Sequence, residues 1–156
     1  MKPYTEQKNP VETVFQPNNV KDQIETAMPA SQIYSPDMSV TVQTQFLEHE
    51  SNIEKKRFVF AYTINIQNHS AKAVKLLTRY WKITDMDNKV QEVEGEGVIG
   101  QQPRIEPGQE FEYTSGAVLE TSAGTMEGHY QFITDDNDIF DAPIPIFSLI
   151  DPSQLH

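Results

Sequence analysis

From residue 38 onward the chain alternates apolar and polar positions with a period of two. RFVFAYTINIQN (57–68) puts Phe58, Phe60, Tyr62, Ile64 and Ile66 on one face, the pattern of a half-buried strand. SVTVQTQFL (39–47) repeats it with Val40, Val42, Thr44 and Phe46. In VKLLTRYWKIT (74–84), Leu77, Arg79, Trp81 and Ile83 share one face, and Leu76, Thr78 and Tyr80 the other. A strand through Val90 and Val93 then runs into EGEGVIGQQP (94–103). Phe111 and Tyr113 alternate with Glu110 and Glu112, and AVLET (117–121) precedes a turn expected at Gly124. TMEGHYQFIT (125–134) sets Met126, Gly128, Tyr130 and Phe132 against His129, Gln131 and Ile133, and IFDAPIPIF (139–147) closes the series.

Turn chemistry separates these runs. NHSAK (68–72), DMDNK (85–89), Pro107-Gly108 and DDND (135–138) carry residues that bond to their own backbone or tolerate left-handed geometry. Pro143 and Pro145 cannot donate ladder hydrogen bonds, so the last strand belongs at an edge or is bulged. Seven to nine short strands, with no helix after residue 38, predict an all-β fold. The expected architecture is an immunoglobulin/fibronectin-III-like antiparallel β-sandwich, with Trp81 as its core aromatic.

Residues 1–37 have a different composition. They hold five of the ten prolines, no glycine and little periodicity, and read as a mostly disordered extension preceding a domain over 38–156. A strap covering the domain is the competing reading. KDQIETAM (21–28) can form one or two helical turns, and Met28 and Met38 both suit an initiator.

The 156 residues suit one domain and carry a net charge of −11, from 12 Lys+Arg against 23 Asp+Glu. The extension holds three lysines and five acids, so most of the excess lies in the β-rich part. Such a surface repels nucleic acid and anionic membranes, and favours cations or basic protein surfaces. No run approaches a membrane span, and the polar N-terminus lacks a signal-peptide h-region. Zero cysteines exclude disulfides and thiolate chemistry. A cytoplasmic location is the simplest expectation.

Gly95, Gly97 and Gly100 have the G-x-G-x-x-G spacing of a dinucleotide cradle. That motif works only where a helix N-terminus follows to face the pyrophosphate. Here Pro103 and Pro107 forbid a prompt helix, and Glu94 and Glu96 repel phosphate, leaving Arg104 as the one nearby cation. A bulged β-loop using glycine for positive φ fits better, with a backbone anion nest as the other option. All seven glycines fall between residues 95 and 128. They suit sandwich corners, or a binding loop set built from EGEGVIG and TSGA (114–117), which adds Thr114, Ser115 and Gly116 to the candidates.

His49, His69, His129 and His156 form no close zinc pair, and DDNDIFD has Asp141 where a calcium loop needs glycine. Hairpin turns account for the acidic runs. Ser115 lacks a nucleophile elbow, so no catalytic residue is predicted. Lys75, Arg79 and Lys82, with Lys72, read as solvated strand charges or as a small partner patch.

Several segments together resemble the ApaG (CorD) family: RFVFAYTINIQN, LLTRYWKITD, VEGEGVIGQQPRIEPG, EYTSGAVLET, GTMEGHYQF and the closing PIPIFSLIDPSQLH. The resemblance covers residues 39–156. It implies a fibronectin-III-like sandwich of bacterial origin, associated with cobalt resistance and magnesium efflux. Related domains in an F-box protein and in a polymerase-delta-interacting protein imply protein binding, and the glycine motif has prompted the idea of pyrophosphate binding. The expectation is therefore a non-enzymatic binding module with a protein partner and no cofactor. An accessory role in Co²⁺/Mg²⁺ homeostasis, with weak cation binding, is the alternative, and nucleotide or pyrophosphate binding is third. Monomer and homodimer both fit.

Overall fold

A computed structural model describes residues 37–154; the expected extension, with its KDQIETAM segment, lies outside the described residues up to residue 36. Eight strands follow: β1 (Met38–Phe46), β2 (Phe58–Asn68), β3 (Val74–Asp85), β4 (Val90–Glu96), β5 (Arg104–Ile105), β6 (Glu110–Leu119), β7 (Ala123–Thr134) and β8 (Ile139–Ile150). Short 3-10 turns span Glu48–Glu50, Ile53–Lys55 and Pro152–Gln154. Pairing is antiparallel throughout. One sheet has the order β1-β2-β6; the other runs β4-β3-β7-β8, with β5 paired to the start of β3. This is the predicted all-β sandwich.

The alternation in β2 carries straight into the core: Phe60, Tyr62, Ile64 and Ile66 are fully buried. Trp81 on β3 sits between the sheets. It meets Tyr62 edge-on at 5.4 Å, Phe147 of β8 at 5.7 Å and Tyr130 of β7 at 6.5 Å, the T-shaped packing that aromatic quadrupoles favour. Tyr113 of β6 and Tyr130 of β7 share a hydrogen bond across the sheets, so neither hydroxyl is stranded in the apolar interior. Replacing Trp81 by alanine removes the centre of this cluster, a change that costs about 3–5 kcal/mol in well-packed cores.

β8 occupies the edge of the larger sheet, and its register slips opposite Met126–Gly128, where Pro145 and Ile146 are the extra length. The prolines thus coincide with both an edge and a bulge. Asn68, fully buried, closes the 68–72 turn. Its Nδ2 donates to the carbonyls of Lys72 (2.8 Å) and Ile105 (3.0 Å), while its Oδ1 accepts from the Ser70 amide and hydroxyl. Asp85 Oδ1 caps the next hairpin by accepting from the amides of Asp87 and Lys89.

Three sequence expectations need correction. Leu76 does not share the outer face with Thr78 and Tyr80. A bulge at Leu77, where the register jumps from Leu76↔Phe132 to Thr78↔Gln131, lets Leu76 and Trp81 both point inward. Gly124 is not a turn residue but lies within β7, and the β6–β7 turn falls at 120–122. A Cβ at Gly124 would stand 2.7 Å from both the Leu119 side chain and the Thr84 carbonyl oxygen, so glycine serves close approach there. TSGA is not a loop either, but the middle of β6.

Candidate functional site: the glycine loop

The segment 97–103 leaves the end of β4 and returns to β5 as a tight knuckle. Val98 and Gln101 exchange reciprocal backbone hydrogen bonds, N–H to O at 2.8 Å in each direction. Gly97 (φ 64°), Ile99 (φ 42°) and Gly100 (φ 77°) take left-handed backbone, a geometry that favours glycine. The two glycines differ in surroundings. A Cβ on Gly97 would lie 2.1 Å from the Gln101 carbonyl oxygen, whereas one on Gly100 would meet open space.

The β3 bulge and one buried cation hold the knuckle in place. Leu77, the bulged residue, turns its carbonyl to accept from the Gly97 amide (2.8 Å) and from Gln102 Nε2 (3.0 Å). The Leu76 amide donates to the Pro103 carbonyl at 2.9 Å. Arg79 is only 6% exposed, and its Nη1 donates to the carbonyls of Glu96 (3.1 Å) and Gly97 (3.2 Å). Gly95 gives the guanidinium its room, since a Cβ there would fall 2.5 Å from Nη1. Val98 is fully buried and pins the loop to the core, while Gly100, Gln101 and Gln102 face solvent.

The same hydrogen bonds limit what the loop offers an anion. The amides of Gly97, Val98 and Gln101 donate within the protein and do not converge on an outside group. Arg104, the one cation expected beside the loop, is taken. Its guanidinium donates to both Asp135 oxygens (2.5 and 2.7 Å) and to Glu106 (2.7 Å). Those acids raise the Arg104 pKa further, and the same contact lowers that of Asp135 below the usual carboxylate value.

The other expected residues scatter. Thr114 Oγ1 shares a 2.8 Å hydrogen bond with Thr63 Oγ1 on the outer face of the smaller sheet. Ser115, 3% exposed, has the parity of Tyr113 and Ala117 and faces inward; Gly116 pairs with Ala61. None of these joins the glycine knuckle as a loop set. The expected partner patch loses one member. Arg79 is buried, whereas Lys75 and Lys82 stay exposed, Lys82 in register with Glu92 and Glu127 and Lys75 opposite Arg104. Glu94 and Glu96 do flank the knuckle, exposed on β4 opposite Tyr80 and Thr78.

Sequence reasoning missed the outer face of the larger sheet. Tyr80 and His129, cross-strand neighbours, stack at 5.1 Å, and the Tyr80 hydroxyl donates to Glu92 at 2.8 Å. Partial burial, the bond to Glu92 and the charges of Glu92, Glu94 and Glu127 push the Tyr80 pKa up to about 12. The acidic turns are tied down as well, Asp136 by Lys72 at 2.9 Å and Asp135 by Arg104. Among the described residues no group of three or more His, Cys, Asp or Glu side chains is arranged to hold a metal ion. No helix among them is long and apolar enough to cross a membrane.

Known proteins share this architecture. A profile of the ApaG domain matches residues 48–134. The ApaG protein of Pectobacterium atrosepticum is 49% identical over 124 residues, which is 80% of this chain and 99% of the relative. That of Salmonella arizonae is 48% identical with the same coverage. The crystal structure of the putative ApaA protein from Bordetella pertussis superposes with a TM-score of 0.73 at 40% identity, covering 77% of this chain and 98% of that one.

Proposed function

The chain belongs to the ApaG family, and on that premise we propose that it is a non-enzymatic binding module whose glycine knuckle docks onto a protein partner. The observation that carries the reading is the internal bracing of the knuckle. The Leu77 carbonyl, the Arg79 guanidinium and the buried Val98 fix a loop whose tip, Gly100–Gln102, remains exposed. A loop ordered before binding loses little conformational entropy when it docks, and binding loops are characteristically displayed on rigid scaffolds. The tip offers the Gln101 side chain beside the acids Glu94 and Glu96, a polar surface suited to a protein.

Pyrophosphate binding has weaker support, because the amides of Gly97, Val98 and Gln101 are spent internally and Arg104 is occupied by acids. A place in divalent-cation homeostasis, on this reading, comes through the bound partner.

The test is affinity capture from bacterial lysate with three baits: the intact chain, Glu96→Lys and Gln101→Lys. These exposed substitutions leave the bracing alone. A protein retained by the intact chain and lost from both variants supports the proposal. Capture of nothing reproducible, or of a protein indifferent to both changes, refutes it.

A further inference from the structure

At the end of the sandwich away from the glycine knuckle, a second feature lies where β1 and β8 finish. The register places it there: Ile150 pairs with Ala123 and Gly124 with Asp85, the far end of β3 from Leu77. Phe46, Glu48 and Ile53, with Asp151, Pro152 and Ser153, bound a cavity of about 310 Å³. That volume is at the small end of the range for ligand pockets. Its walls are mixed: an aromatic ring, an isoleucine that is 50% exposed and a proline supply apolar surface, and two carboxylates supply charge.

Asp151 is the unusual member. It is 1% exposed, and Oδ1 is fully committed, accepting from the Ser153 amide at 2.9 Å and the Ser153 hydroxyl at 2.8 Å. Those bonds fix the carboxylate, as does its own amide, which donates to the Ser122 carbonyl. The other oxygen, Oδ2, is buried and has no hydrogen-bond partner among the described residues. A buried acceptor without a donor is unfavourable and rare in native folds. A donor that reached it from the adjoining cavity would satisfy it.

We propose that this cavity receives the lysine side chain of a protein partner, its ammonium donating to Asp151 Oδ2 beside Glu48 and its methylene stem lying on Phe46, Ile53 and Pro152. The donor must be cationic because two acids border the space. Ammonium suits it better than guanidinium, because the arginine fork wants two free acceptor oxygens and only one is free here. The overall charge of −11 draws basic surfaces toward the molecule. The inference rests on the reading of the chain as a protein-binding module but uses a separate surface, so the two can fail independently.

The experiment is an NMR titration of the full-length ¹⁵N-labelled chain with three blocked tripeptides, Gly-Lys-Gly, Gly-Arg-Gly and Gly-norleucine-Gly. The lysine peptide should move the amides of Glu48–Ile53 and Ser153–Gln154 saturably, the arginine peptide should bind more weakly, and the norleucine peptide should leave them in place. Asp151→Asn should weaken lysine-peptide binding about tenfold or more, the loss of one charge-assisted hydrogen bond. Should that variant not fold, Glu48→Lys at the exposed rim decides, and it should abolish the shifts. Absent shifts, equal shifts with norleucine, or binding unchanged in Glu48→Lys overturn the proposal. Any of these results leaves the knuckle capture experiment free to succeed or fail.

Discussion

Gly97→Ala tests whether the knuckle is braced as described, and its cost can be worked from the geometry. Left-handed backbone costs an L-residue about 1–2 kcal/mol. The new Cβ also lies 2.1 Å from the Gln101 carbonyl oxygen, which is backbone and cannot swing aside as a side chain does. The loop must open, and the reciprocal Val98–Gln101 hydrogen bonds go with it, each worth about 1 kcal/mol net. Reduced freedom of the unfolded chain returns roughly 0.5 kcal/mol. The expected loss is about 3 kcal/mol, a large share of the 5–15 kcal/mol typical of a domain. Gly100→Ala has similar backbone (φ 77°) but no atom within 4 Å of the new methyl, so it bears only the conformational part, about 1 kcal/mol.

Urea unfolding followed by Trp81 fluorescence separates the two variants. With a slope of about 2 kcal/mol per molar urea, the midpoints should differ by about 1 M. Asparagine adds a second discriminator, because it tolerates left-handed backbone but keeps its Cβ. Gly100→Asn should be nearly neutral, while Gly97→Asn should remain as damaging as alanine. Equal midpoints for the two alanine variants, or rescue of position 97 by asparagine, would refute the steric account.

The other expectations follow from single contacts. Arg79→Met should cost about 2 kcal/mol or more through lost charged hydrogen bonds to the Glu96 and Gly97 carbonyls, and hydrogen exchange at amides 97–101 should accelerate more than elsewhere. Arg79→Lys should recover only part of this, because an ammonium does not reproduce the guanidinium fork. Tyr80, with its pKa raised to about 12, stays protonated in the fold after its unfolded counterpart ionises near 10. Its contribution to stability is therefore complete below pH ~10 and is lost as pH rises toward ~12. Titration of absorbance at 295 nm, with Tyr80→Phe as the difference control, should assign Tyr80 a late ionisation, and Glu92→Gln should lower that value while leaving it above 10, since burial is the larger cause. Pro143→Val with Pro145→Val restores two amide donors on an edge strand, and light scattering should then show association that grows with concentration.

What the sequence revealed, and what it hid, follows one rule: period-two parity survives until backbone irregularity intervenes. β2 was legible residue by residue because no bulge interrupts it. In β3 one extra residue at Leu77 flips the parity, and a bulge leaves no signature of its own in residue type. Yet a clue existed, for Leu76 and Trp81 are both large and apolar at an odd separation, and a strict alternation cannot bury both. Gly124 was misplaced because glycine reads first as a turn residue, whereas here it admits Leu119 and the Thr84 carbonyl. The Asp151 cavity was unreadable, since it depends on two strand ends meeting at one rim.

Arg79 is the most instructive failure. The alternation that sends Trp81 and Ile83 inward sends Arg79 with them, but its charge argued for solvent, and charged side chains are rarely buried without a partner. The conflict is resolved by the loop. Carbonyls released from strand pairing at the end of β4 supply acceptors, and Gly95 supplies the space. The glycine spacing that resembles a phosphate cradle therefore has a structural cause that involves no phosphate. Gly95 admits the guanidinium, Gly97 lets the backbone close against Gln101, and Gly100 completes the turn. Gly95 and Gly97 each answer to a neighbour within this chain, and Gly100 to its own left-handed backbone.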